Sequence, residues 1–152
     1  PCLITYGDIL YRSYILEHLQ ESEADITVVA DALWRERQTQ KRKRDFVQCE
    51  NPFQPDYLGG DMARLLCVGT EIKTDEIHGE WVGLVLLSQN GAKIVRDEIE
   101  AMSTDGSLQT ADMPDLFNRL VESGHKIQVQ YITGHWLDID DPFDLAKARN
   151  FL

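Results

Sequence analysis

Ile127-Gln128-Val129-Gln130-Tyr131-Ile132-Thr133-Gly134-His135-Trp136-Leu137-Asp138-Ile139-Asp140-Asp141-Pro142-Phe143-Asp144 reads as a strand, an acidic pair and the start of a helix. Apolar and polar residues alternate from Ile127 to Ile132, and the alternation resumes after Thr133-Gly134, so a strand with side chains on alternate faces is expected. If the pleat continues to the end, Trp136, Asp138 and Asp140 share one face, while Leu137 and Ile139 point the other way into the core. Asp141 then serves as helix N-cap, with Pro142 at the first helical position and Asp144 three residues on. Asp140 falls at a strand-to-helix junction.

A matching carboxylate stands near the start of the chain. Cys2-Leu3-Ile4-Thr5 is a short apolar run closed by Gly7, and Ile15, Leu16 and Leu19 then repeat at helical spacing. Asp8 therefore also lies just beyond a strand. In open α/β sheets ligands bind outside the carboxyl ends of strands, so carboxylates distant in sequence can converge there. Asp8, Asp138 and Asp140 together make an oxygen-rich candidate site for a hard divalent cation. Each taken singly also suits a turn or a cap.

Between these ends, strand-like runs at Asp25–Ala30, Asp45–Cys49, Leu65–Val68 and Glu80–Leu87 alternate in places with helical patterns, an α/β signature. Ile26-Thr27-Val28-Val29-Ala30 is almost continuous in β-formers, as expected of a strand buried on both faces. A helix from about Arg12 to Ser22 leads into it, so the first unit is β-α-β. Asn51 to Met62, broken by Pro52, Pro55, Gly59 and Gly60, is expected to be a loop. Ile94, Val95, Ile99 and Met102 fit a helix over Asn90 to Met102, although Asn90-Gly91 can also turn a hairpin. Leu116, Phe117, Leu120 and Val121 form a clearer stripe, with Pro114 in the first turn and Gly124 as the stop.

The chain has 152 residues, enough for one domain with a substantial core, and a single domain over 1–152 is expected. Its formal net charge of -11 opposes a polyphosphate backbone, so nucleic acid is not an expected partner despite Lys41-Arg42-Lys43-Arg44. That run, with Arg35 and Arg37, reads as a solvated loop, or as a patch that neutralises a phosphate-bearing substrate. Cys2, Cys49 and Cys67 are widely spaced and odd in number, which points away from a disulfide framework or zinc site and toward a reducing cytoplasm. No apolar run approaches the roughly 20 residues of a membrane span, and no signal peptide is recognisable. The chain opens at Pro1, already inside a strand-like run, and the expectation is a piece of a longer or processed protein.

Four stretches carry a family likeness: Ile4-Thr5-Tyr6-Gly7-Asp8-Ile9-Leu10, Ile26-Thr27-Val28-Val29-Ala30-Asp31, Gly79-Glu80-Trp81-Val82-Gly83-Leu84 and Gly134-His135-Trp136-Leu137-Asp138-Ile139-Asp140-Asp141-Pro142-Phe143-Asp144-Leu145. In order and context they resemble the nucleotidyltransferase domain often fused behind phosphoenolpyruvate mutase-like domains, related to phosphocholine and 2-aminoethylphosphonate cytidylyltransferases. The resemblance implies a three-layer, Rossmann-like mixed sheet of the nucleotide-diphospho-sugar transferase type, with helices on both faces. It implies that Asp8, Asp138 and Asp140 hold Mg²⁺. It implies cytidylyl transfer from CTP to a small phosphate or phosphonate, such as phosphocholine or 2-aminoethylphosphonate, with pyrophosphate released. Mg²⁺ favours carboxylate and substrate oxygens, and it offsets charge building at the α-phosphorus during in-line displacement.

The chain departs from that family in one respect. A Gly-rich loop of the type L-x-A-G-x-G-x-R, followed by a lysine, cradles the triphosphate in the family, and nothing here matches it. The chain aligns with the later part of such a domain, so its activity in isolation is not expected, and a half-domain with an open central strand could pair with a second copy. Substrate-binding candidates are Tyr6, Trp34 and Trp136. Trp34 follows the second strand, where choline-type members place an aromatic residue able to hold an ammonium by cation–π attraction. Trp81, Asp112 and Asp115 are weaker candidates, the last two being equally good helix caps, and His135 is the one histidine near the proposed chemistry. A phosphatase reading, from the D-x-D spelling of Asp138-Ile139-Asp140, fails on position, because such motifs follow the first strand and need a downstream lysine and acidic pair; the alternative that stays open is a non-catalytic acidic module.

Overall fold

Ile26–Asp31 is buried at all six positions, and the rest of the chain is arranged on the two faces of this strand. The computed structural model describes residues 1–36, 43–55 and 62–151. In order these form β1 (Cys2–Thr5), β2 (Ile9–Tyr11), α1 (Ser13–Gln20), β3 (Ile26–Asp31), β4 (Phe46–Cys49), β5 (Ala63–Gly69), β6 (Gly79–Leu87), α2 (Gln89–Asp105), a 3-10 turn at Ser107–Gln109, α3 (Met113–Glu122), β7 (Gln128–Ile132), β8 (Trp136–Asp138) and α4 (Pro142–Ala148). Arg37, Lys41, Arg42, Gly59 and Gly60, which entered the expectations above, lie outside the described residues.

Six strands form one mixed sheet in the order β1-β6-β3-β7-β5-β4. β7 runs parallel to β3, whereas β6 runs antiparallel to both β1 and β3. β4 also meets the first residues of β6, Phe46 opposite Glu80 and Val47 opposite Gly79, so the sheet curls back on itself. β1 and β3 are therefore the parallel pair of the expected β-α-β unit, with β6 laid between them. The pleat sorts the core into two clusters. Ile26, Val28 and Ala30 face α2 and α3, packing with Val95, Met102, Leu116, Phe117 and Leu120. Val29 faces α1 with Ile15, Leu19, Val82, Leu84, Ile132 and Trp136. This is the three-layer, mixed α/β arrangement expected from the sequence.

Local chemistry explains the helix ends. Ser88 caps α2 by accepting from Gly91 N–H, and Gly106 ends it at φ 83°, where a side chain would be strained. The segment around Asn90-Gly91 is thus helix, not hairpin. Asp112 and Asp115 form a reciprocal capping box at the start of α3, with Pro114 beside them. Asp141 accepts from the amides of Phe143 and Asp144 at the start of α4, as its spacing requires.

Two expectations fail. The chain from Ile127 to Asp138 is not one strand: β7 ends at Ile132, and β8 belongs to a separate two-stranded sheet with β2, a strand that the sequence reading did not anticipate. Gly134 at φ 82° and His135 at φ 62° make the break. With the pleat interrupted, the inward residue is Trp136, only 4% exposed, while Leu137 and Ile139 are half-buried and belong to neither core cluster. Of the basic run, the two described residues differ. Lys43 is exposed, but Arg44 is half-buried, pairs with Glu80, donates to the carbonyl of Trp34 at 2.7 Å and lies over the Phe46 ring.

Candidate metal centre

Asp8 sits in the turn that joins β1 to β2, and Asp138 ends β8. The β2–β8 ladder places Ile9 opposite Asp138 and Tyr11 opposite Trp136. Beyond the ladder, Ile139 N–H donates to the carbonyl of Asp8 at 2.8 Å, which fixes the turn against the end of β8. The outcome is convergence: one carboxylate oxygen from each of Asp8, Asp138 and Asp140 lies within 4.8 Å of the other two. Asp8 and Asp140 are exposed and Asp138 is half-buried. All-oxygen donors at this spacing suit a hard cation with open positions for water or substrate. At Asp140 the backbone N–H also reaches toward Asp144 at 3.4 Å, which ties the site to the first turn of α4.

Beside Asp138 is a cleft of about 70 Å³ walled in part by Tyr6, Lys43, Asp45, Glu80 and Trp136. That is far below the ~300 Å³ of an enclosed small-molecule pocket, so the described residues present an edge to a substrate rather than enclosing one. Tyr6 lies at that edge, its N–H bonded to Gly83 O at 3.1 Å and its ring edge-on to Trp81 at 5.2 Å. Gly83 is required there, because a Cβ would stand 2.9 Å from the Tyr6 ring and φ is +83°. Burial and the carboxylates of Asp45, Asp112 and Asp8 push the Tyr6 phenol above its ordinary pKa, so it stays protonated at neutral pH. Burial likewise raises Asp45.

The other candidates fall as follows. Trp34 is half-buried, packs edge-on to Phe46 at 5.1 Å and already carries the Arg35 guanidinium 5.0 Å from its ring centre. Trp136 donates its indole N–H to Asp31 at 2.8 Å from a buried position, and so forms the inner wall of the cleft. Trp81 is a core residue packed edge-on between Tyr6 and Phe117. Asp112 and Asp115 are engaged in their capping box. His135 Nδ1 meets the Tyr14 hydroxyl at 2.8 Å. Asp31 and Glu80 stood in the family-like stretches without a role of their own, and Arg44 was read only as part of the basic run; an acidic residue directly after a strand of β-formers was a signal for the first.

The sequence matches no known family profile and no curated protein. Its fold does match solved structures. The inositol-1-phosphate CTP transferase from T. maritima superposes with a TM-score of 0.68 at 20% identity, over 98% of this chain and 53% of that one. A protein assigned as a glucose-1-phosphate thymidylyltransferase from Bacillus anthracis gives 0.60 at 14% identity, over 97% and 52%. The nucleoside-diphosphate-sugar pyrophosphorylase from Vibrio cholerae RC9 gives 0.54 at 11%, over 97% and 56%. The fold is therefore of the nucleotide-diphospho-sugar transferase type. The chain spans about half the length of each of these structures.

Proposed function

We propose that this chain is the metal-binding part of a nucleotidyltransferase, one that moves a nucleotidyl group, by resemblance cytidylyl, from a triphosphate to a small phosphate or phosphonate. The observation that carries the reading is the convergence of Asp8, Asp138 and Asp140, drawn from two chain segments some 130 residues apart, on a fold whose solved neighbours include transferases named for CTP and for thymidylyl transfer. In the reaction an acceptor oxygen forms a bond to the α-phosphorus of the triphosphate, the bond from that phosphorus to the bridging oxygen breaks, and pyrophosphate leaves. Asp8, Asp138 and Asp140 would hold a Mg²⁺ ion, which would supply positive charge against the phosphate groups.

The chain's own residues have clear parts in this reading. Asp8, Asp138 and Asp140 provide the anionic ligands, and the β2–β8 ladder holds their spacing. Tyr6, uncharged and surrounded by Asp8, Asp45 and Asp112, offers an aromatic face in a negative field to an acceptor bearing an ammonium, as in phosphocholine or 2-aminoethylphosphonate. Trp34 would do the same only if Arg35 left its ring. No protein nucleophile is called for, and rate comes from alignment and electrostatics.

The test is pyrophosphate release from CTP and Mg²⁺ with either acceptor, on this chain and on the full product of its gene, each also as Asp138→Asn. Release by the gene product that disappears in the variant is expected. No release with any nucleoside triphosphate overturns the proposal and favours a non-catalytic binding module, whereas release indifferent to Asp138→Asn overturns the role given to the three carboxylates.

A further inference from the structure

We propose that Asp31 is a positioning residue for the carboxylate site, acting as a clamp on the segment that leaves the six-stranded sheet and becomes β8. Its functional meaning rests on the metal reading above; its geometry does not. Asp31 is the last residue of β3 and fully buried. Its Oδ1 accepts from the backbone N–H of Leu33 at 3.0 Å and of Gly134 at 3.0 Å, and its Oδ2 accepts from Trp136 Nε1 at 2.8 Å. Ala32 N–H to Ile132 O, at 2.8 Å, closes the same corner. A carboxylate in the interior is costly unless its acceptors are filled, and here donors from two chain segments fill them.

Both oxygens act as acceptors in different directions, which no neutral isostere can reproduce. An asparagine would turn its NH₂ either toward the indole N–H or toward the two backbone N–H groups, donor against donor. What the clamp holds is the corner at Gly134 and His135, where two successive left-handed residues redirect the chain from β7 into β8. Trp136 is the first residue of β8 and Asp138 the last. The β2–β8 ribbon has only three residues per strand, too few to keep a register unaided. Fixing Trp136 therefore fixes Asp138, and through Ile139 N–H to Asp8 O it fixes the turn that carries Asp8.

The experiment is Mn²⁺ titration by electron paramagnetic resonance, with amide hydrogen exchange on the metal-free protein, for the wild type, Asp31→Asn, Trp136→Phe and Leu120→Ala. All are measured well below their melting temperatures. Leu120 lies in the other core cluster and serves as the purely structural control. Asp31→Asn is expected to weaken Mn²⁺ binding by about tenfold, the lower end of what outer partners contribute at metal sites, and Trp136→Phe by less. Leu120→Ala should leave it unchanged while destabilising the whole protein. Without metal, the Ile139 and β8 amides should exchange about tenfold faster in Asp31→Asn, through local opening. Wild-type affinity and exchange in Asp31→Asn, or an equal loss of affinity in Leu120→Ala, would overturn the clamp. A wild type that binds no Mn²⁺ sinks the metal reading instead, and the exchange contrast then decides the clamp alone.

Discussion

The six-stranded sheet and the β2–β8 ribbon are built on opposite principles. In the sheet, β3 buries every residue, β6 nearly every one, and two apolar clusters press on the two faces. In the ribbon, Trp136 is the buried residue and the others are half-buried; Ile9 and Tyr11 rest on the edge of the α1-side cluster, and the buried Asp31–Trp136 hydrogen bond supplements that thinner apolar contact. Apolar burial is non-directional and tolerates sub-ångström shifts at little cost, whereas a metal site needs ligand oxygens placed within a few tenths of an ångström. Placing Asp138 in a short ribbon, with Asp8 and Asp140 just beyond the ends of its strands, and tying that ribbon to a well-packed sheet separates stability from geometry. Such elements usually open before the core does.

That separation can be broken experimentally. Leu120→Ala, in the sheet's core, should cost about 2–5 kcal/mol in urea unfolding. If it also impaired metal binding, the two regions would not be separate. Glu80→Gln leaves the half-buried Arg44 guanidinium without the buried Glu80 counter-charge, so a loss of about 3 kcal/mol is expected. Because this pair anchors β4 and the turn bearing Trp34, a stability loss below about 1 kcal/mol would show that Arg44 can swing to solvent.

Asp138→Asn tests the ribbon. It removes one of the three proposed ligands and some mutual repulsion, so metal-free melting should stay level or rise slightly. Mn²⁺ affinity should fall by more than the ~10–100-fold of an outer partner, and the melting shift that metal gives the wild type should vanish. Ser88→Ala removes the cap of α2, which lies far from the ribbon in the layered order, and should cost about 1 kcal/mol with no change in metal affinity.

The smallest expected effect is acid sensitivity at the α2–α3 corner. Hydrogen bonds from Ser107 and then Arg119 hold Asp105 down to about 2 from an ordinary value of 3.8. A lowered carboxylate pKa stabilises the fold above the unfolded value, and that contribution disappears as pH falls from about 4 through about 2. In Asp105→Asn the acid limb of the melting curve should flatten over that window. An unchanged limb would assign acid unfolding to other carboxylates.

The run of β-formers Ile26–Ala30, the stripe Leu116–Val121, the caps at Asp112 and Asp141 and the stop at Gly124 are each signals a few residues long, so local patterning reveals these elements and the mixed α/β class. Asp8, Asp138 and Asp140 were also visible as acidic residues after strand-like runs. Two things were not visible. One is that the pleat breaks at Gly134-His135, because an alternating pattern is the same whether or not the chain changes sheets. The other is the set of partners of Asp31, Glu80 and Arg44, since buried charges are matched across strands far apart in sequence. Local side-chain period thus revealed most of the elements, though not β2 or the break before β8, and nominated the carboxylates. Only the tertiary structure decided that β2 and β8 pair, that Trp136 turns inward to Asp31 and that the three carboxylates meet, because those outcomes depend on long-range hydrogen bonds with no local sequence period.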